Sequence, residues 1–196
     1  MKKIPIGVSG RHAHLSQEHL EVLFGKGYEL TIMKELSQPG QFACEEKVDV
    51  ISPAGRTQAG VRILGPVRKA SQVEISRSDA IRSKFVAPVR SSGDVKDSGP
   101  CRLVGPKGEV ELTEGVIVAD RHIHFSLEDA VAFNVSDGDI VSIEVDGKKP
   151  GILGNVLCRV SSKFALDCHI DTDDGAAFEV STGDMVRLVK KYQIIE

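Results

Sequence analysis

GVSGRHAHLSQEHLEVLF (residues 7–24) and GVIVADRHIHFSLEDAVAF (residues 115–133) present the same order of features in two distant parts of the chain. Each runs from a short apolar, β-branched segment into Arg-His-x-His, then one apolar residue, a serine, and a brief helical pattern. The serines, Ser16 and Ser126, are suited to N-capping, and Asp129 adds an acid three residues into the second helix. Four of the six histidines are spent on these two tetrapeptides.

In a strand, residues i and i+2 point to the same face with Cα atoms roughly 6.6 Å apart, so the two imidazoles of an HxH pair can converge on one ion. An isolated HxH is more often a surface or packing feature, but two copies in matching context favour ligation. A catalytic zinc usually takes three protein ligands and keeps one position open, so each pair needs one more partner. Glu74 in SQVEIS and His169 in ALDCHIDT lie at comparable places in segments that both end in a Ser/Asp turn. Two sites are therefore expected, His12/His14/Glu74 and His122/His124/His169. His19, in a short helix without a repeated partner, is read as structural or solvent-facing.

Most remaining segments, among them KVDVISPAG, GVRILGPV, EVELTEGVIVAD, DIVSIEVDG, NVLCRVSS and DMVRLVKK, are short, β-branched and bounded by Gly, Pro, Asp or Ser. That spacing predicts a mainly β protein built as small barrels or sandwiches with a few short helices. A further echo joins NVSDGD (residues 134–139) to VSTGD (residues 180–184), and the echoes together favour two related β units. VRSSGDVKDSGP (residues 89–100) is the best candidate for a flexible connection, or equally for a site loop.

The formal net charge of −3 argues against nucleic acid as the principal partner. Local charge differs: from Val50 to Val73 the basic residues Arg56, Arg62, Arg68 and Lys69 stand without an acid. Cys44, Cys101, Cys158 and Cys168 show no CxxC spacing, which predicts free thiols in a reducing compartment. No apolar run approaches membrane-spanning length and the N-terminus lacks a signal-peptide pattern, so a cytoplasmic location without membrane association is expected.

Several other chemistries fit less well. HExxH is absent, and GVSG is not a GxSxG elbow. Gly7, His12, His14, Glu18 and Gly25 nearly reproduce a cupin metal motif, but a Ser16-capped helix would carry Glu18 away from the histidine face, and the later PxG…H segment is missing. A non-enzymatic β protein stapled by zinc is the other alternative. Arg68 lies an even six residues before Glu74, so an unbroken strand would keep both on one face. A guanidinium beside a metal is a natural phosphate clamp.

Taken together, RHAHLSQE, LSQPGQFACEE, VRILGPVRKASQVEIS, APVRSSGD, EGVIVADRHIHFS, VSDGDIVS and HIDTDDG resemble the propanediol-utilisation type phosphotransacylases, the phosphate propanoyltransferases, over nearly the whole chain. The resemblance implies an acyltransferase that interconverts a short-chain acyl-CoA (propanoyl-CoA or acetyl-CoA) and inorganic phosphate with acyl phosphate and coenzyme A. It implies two zinc ions per chain on the two triads, phosphate binding by Arg68 as the catalytic residue, and coenzyme A contacts at Val8, Ser9, Gly10, Arg62 and Ala176. It also implies two small β-barrels capped by short helices with the active site between them. Residues 1–10 with 120–196 would form one barrel, and residues 11–119 the other, with a small insertion at about 26–46. Family members commonly carry Asn near Ala176 and Lys near Ala54, so both alanines depart from the pattern, with Arg56 the nearest replacement for the lost charge. A homodimer is expected. Many members have an N-terminal extension for entry into bacterial microcompartments, and a chain starting almost at its first strand favours a free cytosolic role, with microcompartment association as the alternative.

Overall fold

A computed structural model describes residues 2–189. In chain order these form β1 (Ile4–Ser9), β2 (His12–His14), α1 (Gln17–Phe24), β3 (Ile32–Glu35), β4 (Phe42–Ile51), β5 (Thr57–Gly65), β6 (Gln72–Glu74) and α2 (Arg77–Ser83). There follow β7 (Val89–Arg90), β8 (Gly99–Val104), β9 (Glu109–Ala119), β10 (His122–Phe125), α3 (Leu127–Phe133) and β11 (Ile140–Val145). The last elements are β12 (Gly151–Val160), β13 (Asp167–Asp171), α4 (Thr172–Phe178) and β14 (Met185–Val189). Lys190 and Lys191 of the predicted DMVRLVKK strand lie outside the described residues. Among those described, no helix is long and apolar enough to cross a membrane.

Two compact units result. One contains residues 2–9, 37–39 and 120–189; the other contains residues 10–36 and 40–119. In the first, six strands close a barrel in the order β1, β13, β10, β12, β11, β14. In the second, β4, β5, β2, β6 and β9 follow one another and β8 pairs with both β9 and β4, which closes a second six-stranded ring, with β3 and β7 added outside it. Starting from the HxH strand, both rings show the same sequence of pairing senses. β10 is antiparallel to β13 and parallel to β12, as β2 is to β6 and β5. β13 is parallel to β1, as β6 is to β9, and the remaining pairs are antiparallel.

Alternation along these strands decides what faces each core. Ala13, Val61, Ile63 and Val73 enter the core of the second barrel, while Ile123, Phe125, Cys168 and Ile170 enter that of the first. Each fully buried aliphatic or aromatic side chain contributes about 1.5–3 kcal/mol of transfer free energy. Their strand neighbours His12, His14, Gln72, Glu74, His122, His124, Asp167 and His169 therefore stand on the outer faces of the barrel walls.

The NVSDGD and VSTGD echo has a local meaning. Both stretches belong to the first unit, where the Ser136 and Ser181 amides donate to Asp139 and Asp184 at 2.8 Å in matching turns before β11 and β14. It relates two turns of one barrel and does not relate the two barrels to each other.

Candidate metal centres

Each HxH pair is completed from the antiparallel neighbour strand. His12 lies in register with Glu74, and His122 with His169. The third ligand candidate therefore sits directly opposite the first histidine, where side chains of paired residues share a face. The potential ligand atoms of His12, His14 and Glu74, and likewise of His122, His124 and His169, all lie within 4.8 Å of one another.

One local rule builds all four supporting positions. Two residues after a ligand candidate stands a helix cap: Ser16 after His14, Ser76 after Glu74, Ser126 after His124 and Asp171 after His169. In every case the cap accepts the amide of the residue three further on. The residue between ligand and cap, Leu15, Ile75, Phe125 or Ile170, is buried and anchors the strand end in the core. The helices α1, α2, α3 and α4 thus start where the ligand strands stop, and the capped turn fixes where each strand ends.

The arginines of the two RHxH motifs are also placed alike. Arg11 pairs with Asp79 at 3.0 Å, and Arg121 grips Asp174 through Nε at 2.7 Å and Nη2 at 2.9 Å. Each aspartate lies five residues beyond the third ligand candidate, so strand β2 is tied to helix α2 and strand β10 to helix α4.

Electrostatics differ between the triads. His12 Nε2 lies 3.4 Å from Glu74 Oε2. Burial disfavours the charged ring, but the Glu74 carboxylate outweighs it and raises the His12 pKa. Burial likewise opposes ionisation of Glu74, yet the two histidines and the Ser92 hydroxyl hold it well below the usual carboxylate range. His14 is pushed down to about 3 by burial and by His12, and His124 to about 2 by burial and by His122. Both rings are neutral at pH 7, with a lone pair to donate.

Most of the rings are already oriented. His12, His14 and His122 engage Nδ1 with the carbonyls of Gly10 (2.9 Å), Leu64 (3.0 Å) and Asp120 (2.8 Å), which makes Nε2 their ligand atom. His124 Nδ1 is buried with no hydrogen-bond partner among the described residues, a costly state that an electron-pair acceptor relieves. Oriented imidazoles, an ionised carboxylate and an orphaned ring nitrogen fit a divalent ion bound by three protein ligands.

The chain matches the phosphate propanoyltransferase family model over residues 5–181. The chain belongs to that family. Phosphate propanoyltransferases from Lachnoclostridium phytofermentans and Thermotoga maritima are 54% and 51% identical to it over 170 and 171 residues, covering 87% of this chain and 79% and 81% of theirs. The Salmonella typhimurium phosphate propanoyltransferase is 49% identical over 173 residues, covering 88% of this chain and 81% of its own. Members of the phosphate propanoyltransferase family are acyltransferases.

Arg68 reaches its place by another route than the even spacing suggests. β5 ends at Gly65 and β6 begins at Gln72, so no continuous strand joins Arg68 to Glu74. The Arg68 backbone amide donates instead to Leu15 O at 2.8 Å. Its Nη1 donates to Ser92 Oγ at 3.0 Å, and the same hydroxyl donates to Glu74 Oε1 at 2.7 Å. Gln72 donates to both Glu74 (2.6 Å) and Ser92 (3.1 Å), and accepts from the Gly93 amide at 2.7 Å. VRSSGDVKDSGP therefore brings Ser92 and Gly93 against the candidate triad, and Ser92 and Gln72 are hydrogen-bonded neighbours of Glu74 that sequence reasoning missed. The i−2 position of Gln72 relative to Glu74 was the available signal.

The remaining expected contacts are spread over both units. Val8 and Ser9 end β1, and Ala176 is exposed on α4, all in the first unit. Gly10 opens the second unit. Arg62, on β5 in register with His12, donates to the Cys44 carbonyl. Ala54 and Arg56 are exposed at the turn between β4 and β5, a strand's length of roughly 20 Å from Arg62. Glu18 is exposed on α1, away from the histidines, and His19 is half-buried with Nδ1 2.7 Å from Ser71 Oγ.

Proposed function

We propose that the chain transfers a short acyl group, propanoyl or acetyl, between coenzyme A and inorganic phosphate, with one zinc ion at each triad. The observation that carries this reading is the pairing of a three-ligand cluster with a guanidinium, Arg68, joined to its carboxylate through Ser92. Zinc bound there would supply Lewis acidity toward an oxygen or thiolate of the substrates.

The chain's own residues do the positioning. Arg68 offers bidentate donors to a tetrahedral anion, and Ser92 holds it while keeping Glu74 ionised. Val8, Ser9, Gly10, Arg62 and Ala176 are assigned to coenzyme A. Direct attack of phosphate on the thioester, without an acyl-enzyme, is favoured because every cysteine is buried. Burial and the adjacent Asp167 push the Cys168 thiol far above its ordinary range, so it supplies no thiolate nucleophile.

The test is acyl-CoA-dependent formation of acyl phosphate, measured with metal content before and after chelation. Phosphate-dependent thioester cleavage that disappears with the metal and returns with zinc is expected. Zinc binding with no acyl transfer across acetyl-CoA and propanoyl-CoA would overturn the proposal in favour of a metal-stapled β protein.

A further inference from the structure

In the second barrel, Gln72 stands two residues before Glu74 on the same strand face, in register with His14, and gives that carboxylate an amide donor at 2.6 Å. The matching position in the first barrel, two residues before His169 and in register with His124, is Asp167. Its Oδ2 lies 3.0 Å from His169 Nε2. Polarity has switched with the ligand: an acceptor ligand has a donor behind it, and an imidazole has an acceptor.

Asp167 is 4% exposed, and buried carboxylates need a reason. Ser37 donates its hydroxyl to the same Oδ2. Ser37 is itself anchored by its neighbour Gln38, whose amide bonds the backbone of Ala165 in both directions, at 2.8 Å to the carbonyl and 3.2 Å from the N–H. On the other side runs β1, where a Cβ on Gly7 would stand 3.3 Å from the His169 ring and 3.4 Å from Asp167 Oδ2. The glycine lets the backbone lie against the pair.

We propose that Asp167 is a positioning residue of the all-histidine triad: it takes the Nε2–H of His169 and so presents Nδ1 of that ring to the metal, opposite to the nitrogen used by His12, His14 and His122. A buried carboxylate behind a ligand histidine fixes its tautomer and raises its basicity. This rests on the metal reading above and adds which nitrogen binds and what holds it.

Two measurements on the full chain test it. In long-range 1H–15N spectra of the zinc-loaded protein, with His169 assigned through His169→Gln, His169 is expected to be protonated on Nε2 and His12, His14 and His122 on Nδ1. In a chelator competition, Asp167→Asn is expected to weaken one of two zinc sites about 10–100-fold and leave the other unchanged. Two bound zincs with His169 protonated on Nδ1, or an Asp167→Asn protein with both affinities within twofold of the parent, overturns the positioning role and leaves the metal reading standing. Failure of the parent protein to bind zinc at the all-histidine triad overturns both.

Discussion

The two triads occupy the same place on two barrels with the same pairing senses, yet one ends in a carboxylate and the other in a third imidazole. A dication at His12/His14/Glu74 would be partly neutralised by its ligands, whereas at His122/His124/His169 it would keep its full charge. The guanidiniums differ as well. Arg68 is tied to the carboxylate triad through Ser92, while Arg159, in register with His124, lies over Phe164 with its guanidinium carbon 5.6 Å from the ring centre. Similar backbones thus give one triad with a hydrogen-bonded guanidinium of its own and another whose in-register arginine lies against an aromatic ring instead.

The largest expected effect comes from removing one ligand at a time. His12→Ala and His122→Ala should each lose one of two bound zincs, and acyl phosphate formation should fall on the order of 10³-fold or more in both. Metal content read beside the rate decides the comparison. A variant that loses its ion and keeps the parental rate makes that triad a structural staple, and the two sites are then unequal in kind.

Arg68→Ala should lower kcat/KM for phosphate by about 10–100-fold, the worth of a charge-assisted hydrogen bond of roughly 1.5–3 kcal/mol, while the KM for acyl-CoA changes little. Arg68→Lys, which keeps the charge without the fork, should recover part of the loss. Unchanged phosphate dependence in Arg68→Ala removes the assigned role. Ser92→Ala should be milder, about 5–10-fold from loss of a hydrogen bond of about 1 kcal/mol. Zinc affinity at the all-histidine triad, measured by chelator competition, should not move in Ser92→Ala, because every hydrogen bond of Ser92 described above lies in the second barrel.

What the sequence revealed about this site follows from locality. HxH, the apolar step and the cap are all contiguous, so His12, His14, His122 and His124 and their helices could be read directly. Glu74 and His169 were legible because each precedes its cap by the same two residues. Arg68 reached the right neighbour for the wrong reason: the strand breaks after Gly65, and Ser92, eighteen positions beyond Glu74, makes the link. Ser37 lies 130 residues from the carboxylate it supports, a distance no spacing rule spans. A mainly β protein of small barrels or sandwiches was visible in the short β-branched runs, and the family resemblance pointed to two barrels. Which strands close each ring was not visible, since closure depends on parallel pairs such as β1 with β13, whose partners are far apart in the chain.

The smallest and most discriminating test is the acid response of the metal-free protein, where His12 and His124 should differ in sign. His12 has a raised folded pKa, so its contribution is fully present below the unfolded value of about 6.5 and fades as pH rises through the raised one. His14 and His124, depressed to about 3 and about 2, act oppositely: their contribution is complete above about 6.5 and is lost as pH falls toward the folded values. Each can cost at most about 1.4 kcal/mol per pH unit in that window, or a few degrees of melting temperature for a chain of this size. With metal removed, His124→Gln should therefore flatten the fall in melting temperature between pH 6.5 and 5, while His12→Gln should erase only a gain seen as pH falls toward 6.5 from above. Identical pH profiles for the two variants would mean that Glu74 does not distinguish the sites electrostatically. The contrast between a carboxylate triad and an all-imidazole triad would then lie in metal geometry alone.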